Sequence, residues 1–224
     1  MFEFSKSIIF SEAEFKNNAI SLSSLMHAFE EIAVLHANEL GIVYKNKVWV
    51  ILKLKIDFVE SLQVGKEYIL RTYINDRGKF DCDRYFEILS DNKVYIKAIY
   101  NWCLIDIIAR KFESLEIINY PVPVRQNKNF LKINKSEFVN LNNKFTFVVK
   151  KENLDENFHM NNKVYGKIIE NLFQKSFKQV LINFEHEAKL NDEIILNYAI
   201  EKEQGLLMSK IKDNICFCSL VSFL

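Results

Sequence analysis

Glycine and proline are scarce, 5 and 2 among 224 residues. That scarcity disfavours a fold built from many tight glycine turns, so long strands and helices must fill most of the chain. Cysteine is sparse too. Cys82, Cys103, Cys216 and Cys218 form no CxxC and have no histidine at a metal-binding spacing, so neither a zinc site nor a dithiol redox motif is implied. No metal or other cofactor is expected. No window approaches the roughly 18–20 apolar residues of a membrane-spanning helix, and the first residues, MFEFSKSIIFSEAEF, mix charges into what would be the core of a secretion signal. A soluble cytoplasmic protein with reduced thiols is the expectation. An excess of charge is missing as well: Lys plus Arg number 30 against 29 Asp plus Glu, leaving a net charge of +1. That balance excludes the basic footprint of a nucleic-acid binder and confines any polyanion-binding surface to a local patch.

What the chain does hold is apolar material, 49% of residues with 19 Phe, enough for a large core or an apolar tunnel. In SSLMHAFEEIAVLHANELG, Leu25, Phe29, Ile32, Ala33, His36 and Leu40 recur at helical spacing, Ser23 or Ser24 is placed to cap the start, and Gly41 follows as a stop. VWVILKLKIDF then sets Val48, Val50, Leu52, Leu54, Ile56 and Phe58 on one face of a long strand. Three strand-like runs follow, KEYILRTYIND, KFDCDRYFEILSDN and KVYIKAIYNWCLIDI, parted at Val64-Gly65, Arg77-Gly78 and Asp91-Asn92. From Glu113 to about Lys144 the periodicity breaks. This stretch holds Pro121, Pro123, Arg125, Lys128, Lys132 and Lys135, and reads as a linker. Beyond it the order returns: a strand KFTFVVKK, then a helix NNKVYGKIIENLFQKSF with Tyr165, Ile168, Ile169, Leu172, Ser176 and Phe177 on one stripe. Four strands follow, at VLINFEHE, DEIILNYAIEKE, GLLMSKIKD and NICFCSLVSF. Strand, helix and four-stranded meander therefore occur twice. A helix and a long sheet can each bury an apolar face only if the sheet wraps the helix. The fold class expected is α+β, two tandem hot-dog domains at 1–118 and 144–224 joined by a linker at 119–143.

Just before the second helix, Asp155, Asn157 and His159 alternate, so in an extended stretch all three side chains leave on one side. Two readings stand open. Asp155 and Asn157 make a turn, Asn161 caps the helix and His159 is structural. Alternatively, a carboxylate, an amide and an imidazole gather where free helix amides favour developing negative charge.

Several separated segments resemble the plant and bacterial acyl-acyl carrier protein thioesterases. HAFEEIAVLHANELGI looks like that family's first-helix signature. YNWCLIDIIARKFESL is similar to its strand-ending segment, with Trp102, Asp106 and Arg110 at the family's spacing. NLDENFHMNNKVYGKIIEN resembles its Asp-x-Asn-x-His followed by Asn-Asn and a helix with an early Tyr. FEHEAKLNDEI looks like the element carrying its active-site glutamate, here Glu187. The resemblance implies hydrolysis of fatty acyl-acyl carrier protein to free fatty acid, ending chain elongation in fatty acid biosynthesis, with Asp155, Asn157, His159 and Glu187 as the catalytic constellation. In the preferred roles, Glu187 and Asp155 position and deprotonate water while Asn157 and His159 polarise the carbonyl or orient that water. A carboxylate buried at an apolar tunnel mouth is expected to have a raised pKa. Some plant members carry Cys after the glutamate; this chain has Ala188, which excludes a cysteine nucleophile there. Strand alternation sends the neighbouring His186 to the face opposite Glu187. The first half reads KNNAISLSSLMH where the motif would stand, so its counterpart site is degenerate.

The family's acyl tunnel in the first hot-dog makes Met26, Phe29, Val50 and Leu52 candidate lining. The acidic carrier protein makes Arg110, Lys111, Lys163, Lys167 and Lys178 a candidate docking patch, and a homodimer is possible. The competing readings are an acyl-CoA thioesterase on the same fold and a non-catalytic acyl-binding protein, the second opposed by the intact four residues.

Overall fold

The computed structural model of the chain describes residues 3–118, 121–125, 133–138 and 140–224. The first half holds β1 (Glu3–Ile9), β2 (Phe15–Lys16), β3 (Ala19–Ile20), α1 (Leu22–Glu39), β4 (Lys47–Phe58), β5 (Glu67–Arg77), β6 (Asp81–Ser90), β7 (Lys93–Asp106) and β8 (Lys111–Phe112). The second holds β9 (Asn143–Val148), α2 (Asn162–Phe173), β10 (Phe177–Phe184), β11 (Glu193–Ile200), β12 (Gln204–Ile211) and β13 (Asn214–Phe223). The long strands form one antiparallel sheet in the order β1-β5-β6-β7-β4-β10-β13-β12-β11-β9. Read outward from the central β4–β10 pair, the two halves repeat each other. The fold is a double hot-dog, α+β, with both helices packed against a single large apolar core.

Local chemistry accounts for most element ends. Ser21, rather than Ser23 or Ser24, caps α1 by accepting the Ser24 amide at 3.1 Å. Gly41, at φ 64°, ends the run just after it. Asp91 and Asn92 both have positive φ and join β6 to β7 by a two-residue turn that follows the strand twist. The helical stripe read through Ser176 and Phe177 stops sooner: α2 ends at Phe173 because Gln174 turns left-handed at φ 51°, and Phe177 opens β10. The N-terminal residues add a strand, β1, paired along β5, whose Phe4 and Ile8 pack on the core.

The strict alternation expected along β4 fails at one place. Its register against β7 slips between Ile51 and Lys53, so Leu52 is a bulged residue and the faces exchange. Ile51, Leu54 and Ile56 join the core, while Val50 and Leu52 are only partly buried and belong to neither core cluster beside α1.

The helices run antiparallel and meet closely. Leu22 donates its amide to Glu170, Met26 lies against Gly166, and Glu30 reaches Asn162, a ladder with a rung every four residues. A β-carbon on Gly166 would lie 2.9 Å from Met26 Sδ and 3.3 Å from both Leu22 Cγ and the Ser23 nitrogen. Only the missing side chain allows this crossing.

The 119–143 linker falls partly outside the described residues, including Lys128 and Lys132. What is described grips the sheet from outside. Arg125 pairs with Asp76 at 2.8 Å, Asp81 at 2.8 Å and Asp83 at 3.0 Å. Ile133 and Phe138 pack with Leu206 and Cys218 on a separate small core. Lys135 pairs with Glu185.

Filling the crossing tests the helix packing. Gly166→Val is expected to lower the unfolding free energy by about 1–3 kcal/mol through overpacking, read from the midpoint of chemical denaturation. A midpoint equal to the wild type's would show that the helices separate without cost.

Candidate active site

The segment 154–160 folds back on itself ahead of α2. Leu154 bridges Met160, the Asp155 amide donates to the His159 carbonyl at 2.8 Å, and Asp155 Oδ1 accepts the Asn157 and His159 amides at 2.8 and 3.1 Å. Asp155 is therefore the hub of a turn, as aspartate's short acceptor allows. Phe158 sits at its tip with φ 62° and a side chain 78% exposed. Strain in a bulky residue that buries little surface marks a backbone shaped by something other than packing. The turn is closed, so the three side chains do not project together as they would from an extended strand. Asn157 is exposed, and its side chain makes no direct hydrogen bond among the described residues. After the turn, Asn161 caps α2 by accepting the Lys163 amide.

Glu187 comes from the loop after β10, not from a strand, so the alternation placing His186 opposite it does not apply; both are exposed. The loop is held against the turn by the Met160 amide on the Ala188 carbonyl at 2.8 Å and by a bridge between His159 and Lys189. That pairing brings His159 Nε2 to 3.2 Å from Glu187 Oε2, with the side chains 31% and 53% exposed. The structure thus joins three of the four expected residues through two local devices, a turn and a loop bridge. The fourth, Asn157, is a neighbour.

A different carboxylate is partly buried, with one oxygen shut off from solvent. Glu30, on α1, lies within hydrogen-bonding reach of the Asn162 side chain and in the electrostatic range of Asp155 and Lys163. Burial lifts its pKa to about 7. Its Oε1, like Tyr100 Oη and Trp102 Nε1, is shielded from solvent with no hydrogen-bond partner among the described residues. Burial, and then the charge of Glu30, hold the Tyr100 hydroxyl well above the usual tyrosine range. The sequence pattern left Glu30 unremarked within the helical stretch.

One turn further along α1, an apolar slot opens between Ala33, Val34, Ala37, Ile42, Trp49 and Trp102. None of Met26, Phe29, Val50 and Leu52 lines it: Met26 packs at the helix crossing, Phe29 stacks on Phe86, and the β4 bulge turns the other two away. Trp102 is a wall of the slot. Asp106 is occupied by the Ile108 and Ala109 amides and by Lys47. His36, also buried, accepts from Arg84 at 2.9 Å, and desolvation with that guanidinium pulls its pKa down to about 4. It is a neutral structural group.

All four cysteines are buried, which pushes their thiols up to about 12 for Cys82 and Cys103 and about 11 for Cys216 and Cys218. None is poised as a thiolate near neutrality. Among the described residues no group of three or more His, Cys, Asp or Glu is placed to hold a metal ion.

Residues 2–117 match the model of the acyl-ACP thioesterase N-terminal domain. Among proteins with curated descriptions, none matches this sequence. Solved structures share the whole architecture. An acyl-ACP thioesterase from Bacteroides thetaiotaomicron superposes with a TM-score of 0.81 at 19% identity over 99% of this chain and 98% of its own. A putative oleoyl thioesterase from Lactobacillus plantarum gives 0.86 at 14% identity over 100% and 97%. A 12:0-ACP thioesterase from Umbellularia californica gives 0.81 at 13% identity over 99% and 97%. At these identities the superpositions speak for the fold.

The turn makes a separable prediction about stability. Asp155→Asn keeps an acceptor for the two amides and is expected to leave the melting temperature near the wild type's. Asp155→Ala strands both amides and costs about 1–3 kcal/mol; equal melting of the two variants would show that the turn does not depend on this side chain.

Proposed function

This chain belongs to the acyl-ACP thioesterase family, and on that premise we propose that Asp155, Asn157, His159 and Glu187 form its catalytic constellation. The chain is a thioester hydrolase that cleaves fatty acyl-ACP. The observation that carries the site is the 3.2 Å approach of His159 to Glu187 beside the Asp155 turn and the start of a helix. The two segments are docked through Met160 and Ala188, both in the core, and this buried contact holds the partly exposed His159 and Glu187 side chains together at the surface.

Hydrolysis needs a water made nucleophilic, donors for the oxygen that becomes negative, and groups that fix both. Glu187 orients the His159 imidazole through Nε2. Asp155 spends Oδ1 on the turn and keeps Oδ2 for the water. Asn157, exposed at the rim, supplies an amide to the thioester carbonyl, and the N-terminal amides of α2 favour the oxyanion. The buried, weakly acidic cysteine thiols favour water over a covalent thiol route, in keeping with Ala188 beside the glutamate.

The acyl chain runs from this point into the slot beside Ala33, Ala37 and Trp102. Exposed Lys167 and partly exposed Lys163, on the first turns of α2, face solvent near the thioester and suit an acidic carrier. Among the described residues no helix is long and apolar enough to cross a membrane. Release of free fatty acid in the cytoplasm, ending elongation in fatty acid biosynthesis, is the role that fits.

Asp155→Asn and Glu187→Gln are each expected to reduce thiol release from acyl-ACP by about 100- to 10,000-fold, with circular dichroism and melting unchanged. Full activity in both overturns the site assignment. Acyl-ACP is expected to turn over with higher kcat/KM than acyl-CoA of equal chain length; equal efficiency would remove carrier-protein recognition.

A further inference from the structure

The two helices treat each other's beginnings alike, and the likeness fails at one residue. Glu170 lies nine positions after the Asn161 cap of α2, and Glu30 nine after the Ser21 cap of α1. Across the Gly166 crossing each glutamate faces the first residue of the opposite helix, Leu22 for Glu170 and Asn162 for Glu30. Glu170 has an evident structural use: it accepts the Leu22 amide and so satisfies an orphan donor at a helix start. Glu30 occupies the twin position, but there the helix start adjoins the Asp155–His159 turn, which the first half replaces with the short β2–β3 hairpin around Asn17 and Asn18. Its Oε1 takes no hydrogen bond among the described residues although it is closed off from solvent. Tyr100 Oη and Trp102 Nε1, both without hydrogen-bond partners among the described residues, stand on the facing strand β7, and Trp102 is a wall of the apolar slot. A polar atom shielded and left without a partner is costly unless a ligand or water completes it.

We propose that Glu30 is a catalytic residue supplied by the first half of the chain, the carboxylate that takes the proton of the hydrolytic water. The proposal rests on the site assigned above and completes it from the opposite helix. As water oxygen bonds to the thioester carbon, the O–H bond breaks and its proton passes to Glu30, while the carbonyl π pair moves onto oxygen. Collapse of that oxyanion breaks the C–S bond, and the departing thiolate takes the proton back from Glu30, giving acid and thiol. The charged and titratable groups that face Glu30 are Asp155 on the turn, Lys163 on α2 and Tyr100 on β7. Asp155 adds to the desolvation that raises its pKa, and Lys163 and Asn162 oppose it, leaving a base matched to neutral pH.

The sign for stability is fixed. A carboxyl with pKa raised on folding binds its proton more tightly in the native state, so stability is present at low pH and falls as pH rises from the unfolded carboxyl range towards 7. Glu30→Gln removes that loss.

The test compares Glu30→Gln with its structural twin Glu170→Gln and with Glu187→Gln, using thiol release from acyl-ACP between pH 5 and 9 together with melting curves. Expected for Glu30→Gln are a fall in kcat of about 100-fold or more, little change in KM, loss of the acidic limb near pH 7, and a melting temperature at pH 8 at or above the wild type's. Glu170→Gln, which keeps an acceptor for the Leu22 amide, is expected to fold and to keep the wild-type kcat and pH limb. Activity of Glu30→Gln within threefold of the wild type, with Glu187→Gln inactive, overturns the role of Glu30 and leaves the site standing; activity in both sinks the site as well. Should Glu30→Gln fail to fold, the wild-type profile decides: an acidic limb near 7 is required, and a limb below pH 5.5 refutes the proposal.

Discussion

The crossing of α1 and α2 at Gly166 is the constraint on which the rest depends. The apolar stripes of both helices lie in one shared core, so each helix helps to bury the other. Close approach fixes their relative height, and because α-helical neighbours recur every four residues, one contact sets the others: Leu22 with Glu170, Met26 with Gly166, Glu30 with Asn162. The single continuous sheet, joined at β4–β10, holds the two units in that register.

A repeated fold provides two equivalent places for chemistry, and the sequence equips one. Ahead of α1 stands a two-residue hairpin at Asn17-Asn18; ahead of α2 stands a longer turn organised by Asp155 and finished by His159. The same glutamate position serves a helix end on one side and meets the turn on the other. The difference between the halves thus lies in a few loop residues ahead of each helix, the place where loops on a common scaffold usually diverge.

The proposed site is divided between the halves. His159, Asp155 and Glu187 belong to the second, whereas the apolar slot and Glu30 belong to the first. The buried thiols and the His36 imidazole beside Arg84, chemically suggestive by residue type, are held in their neutral forms by their surroundings.

Periodicity and turn chemistry determined the two helices, the principal strands and the doubled order, because a single face repeating every 3.6 or 2 residues is written locally. The resemblance of Asp155-x-Asn157-x-His159 and Glu187 to known active sites was also legible in the residues. What the sequence did not disclose depends on contacts between distant segments. The bulge at Leu52, which moved Val50 and Leu52 off the inner face, arises from pairing with Trp102 and Asn101. The meeting of His159 with Glu187 required a loop to dock on a turn, and the closed turn itself placed Asn157 apart. Glu30 was an ordinary helical glutamate until the partner helix came within reach. A residue's burial and electrostatic neighbours are properties of the folded assembly, so its acidity could be decided only there.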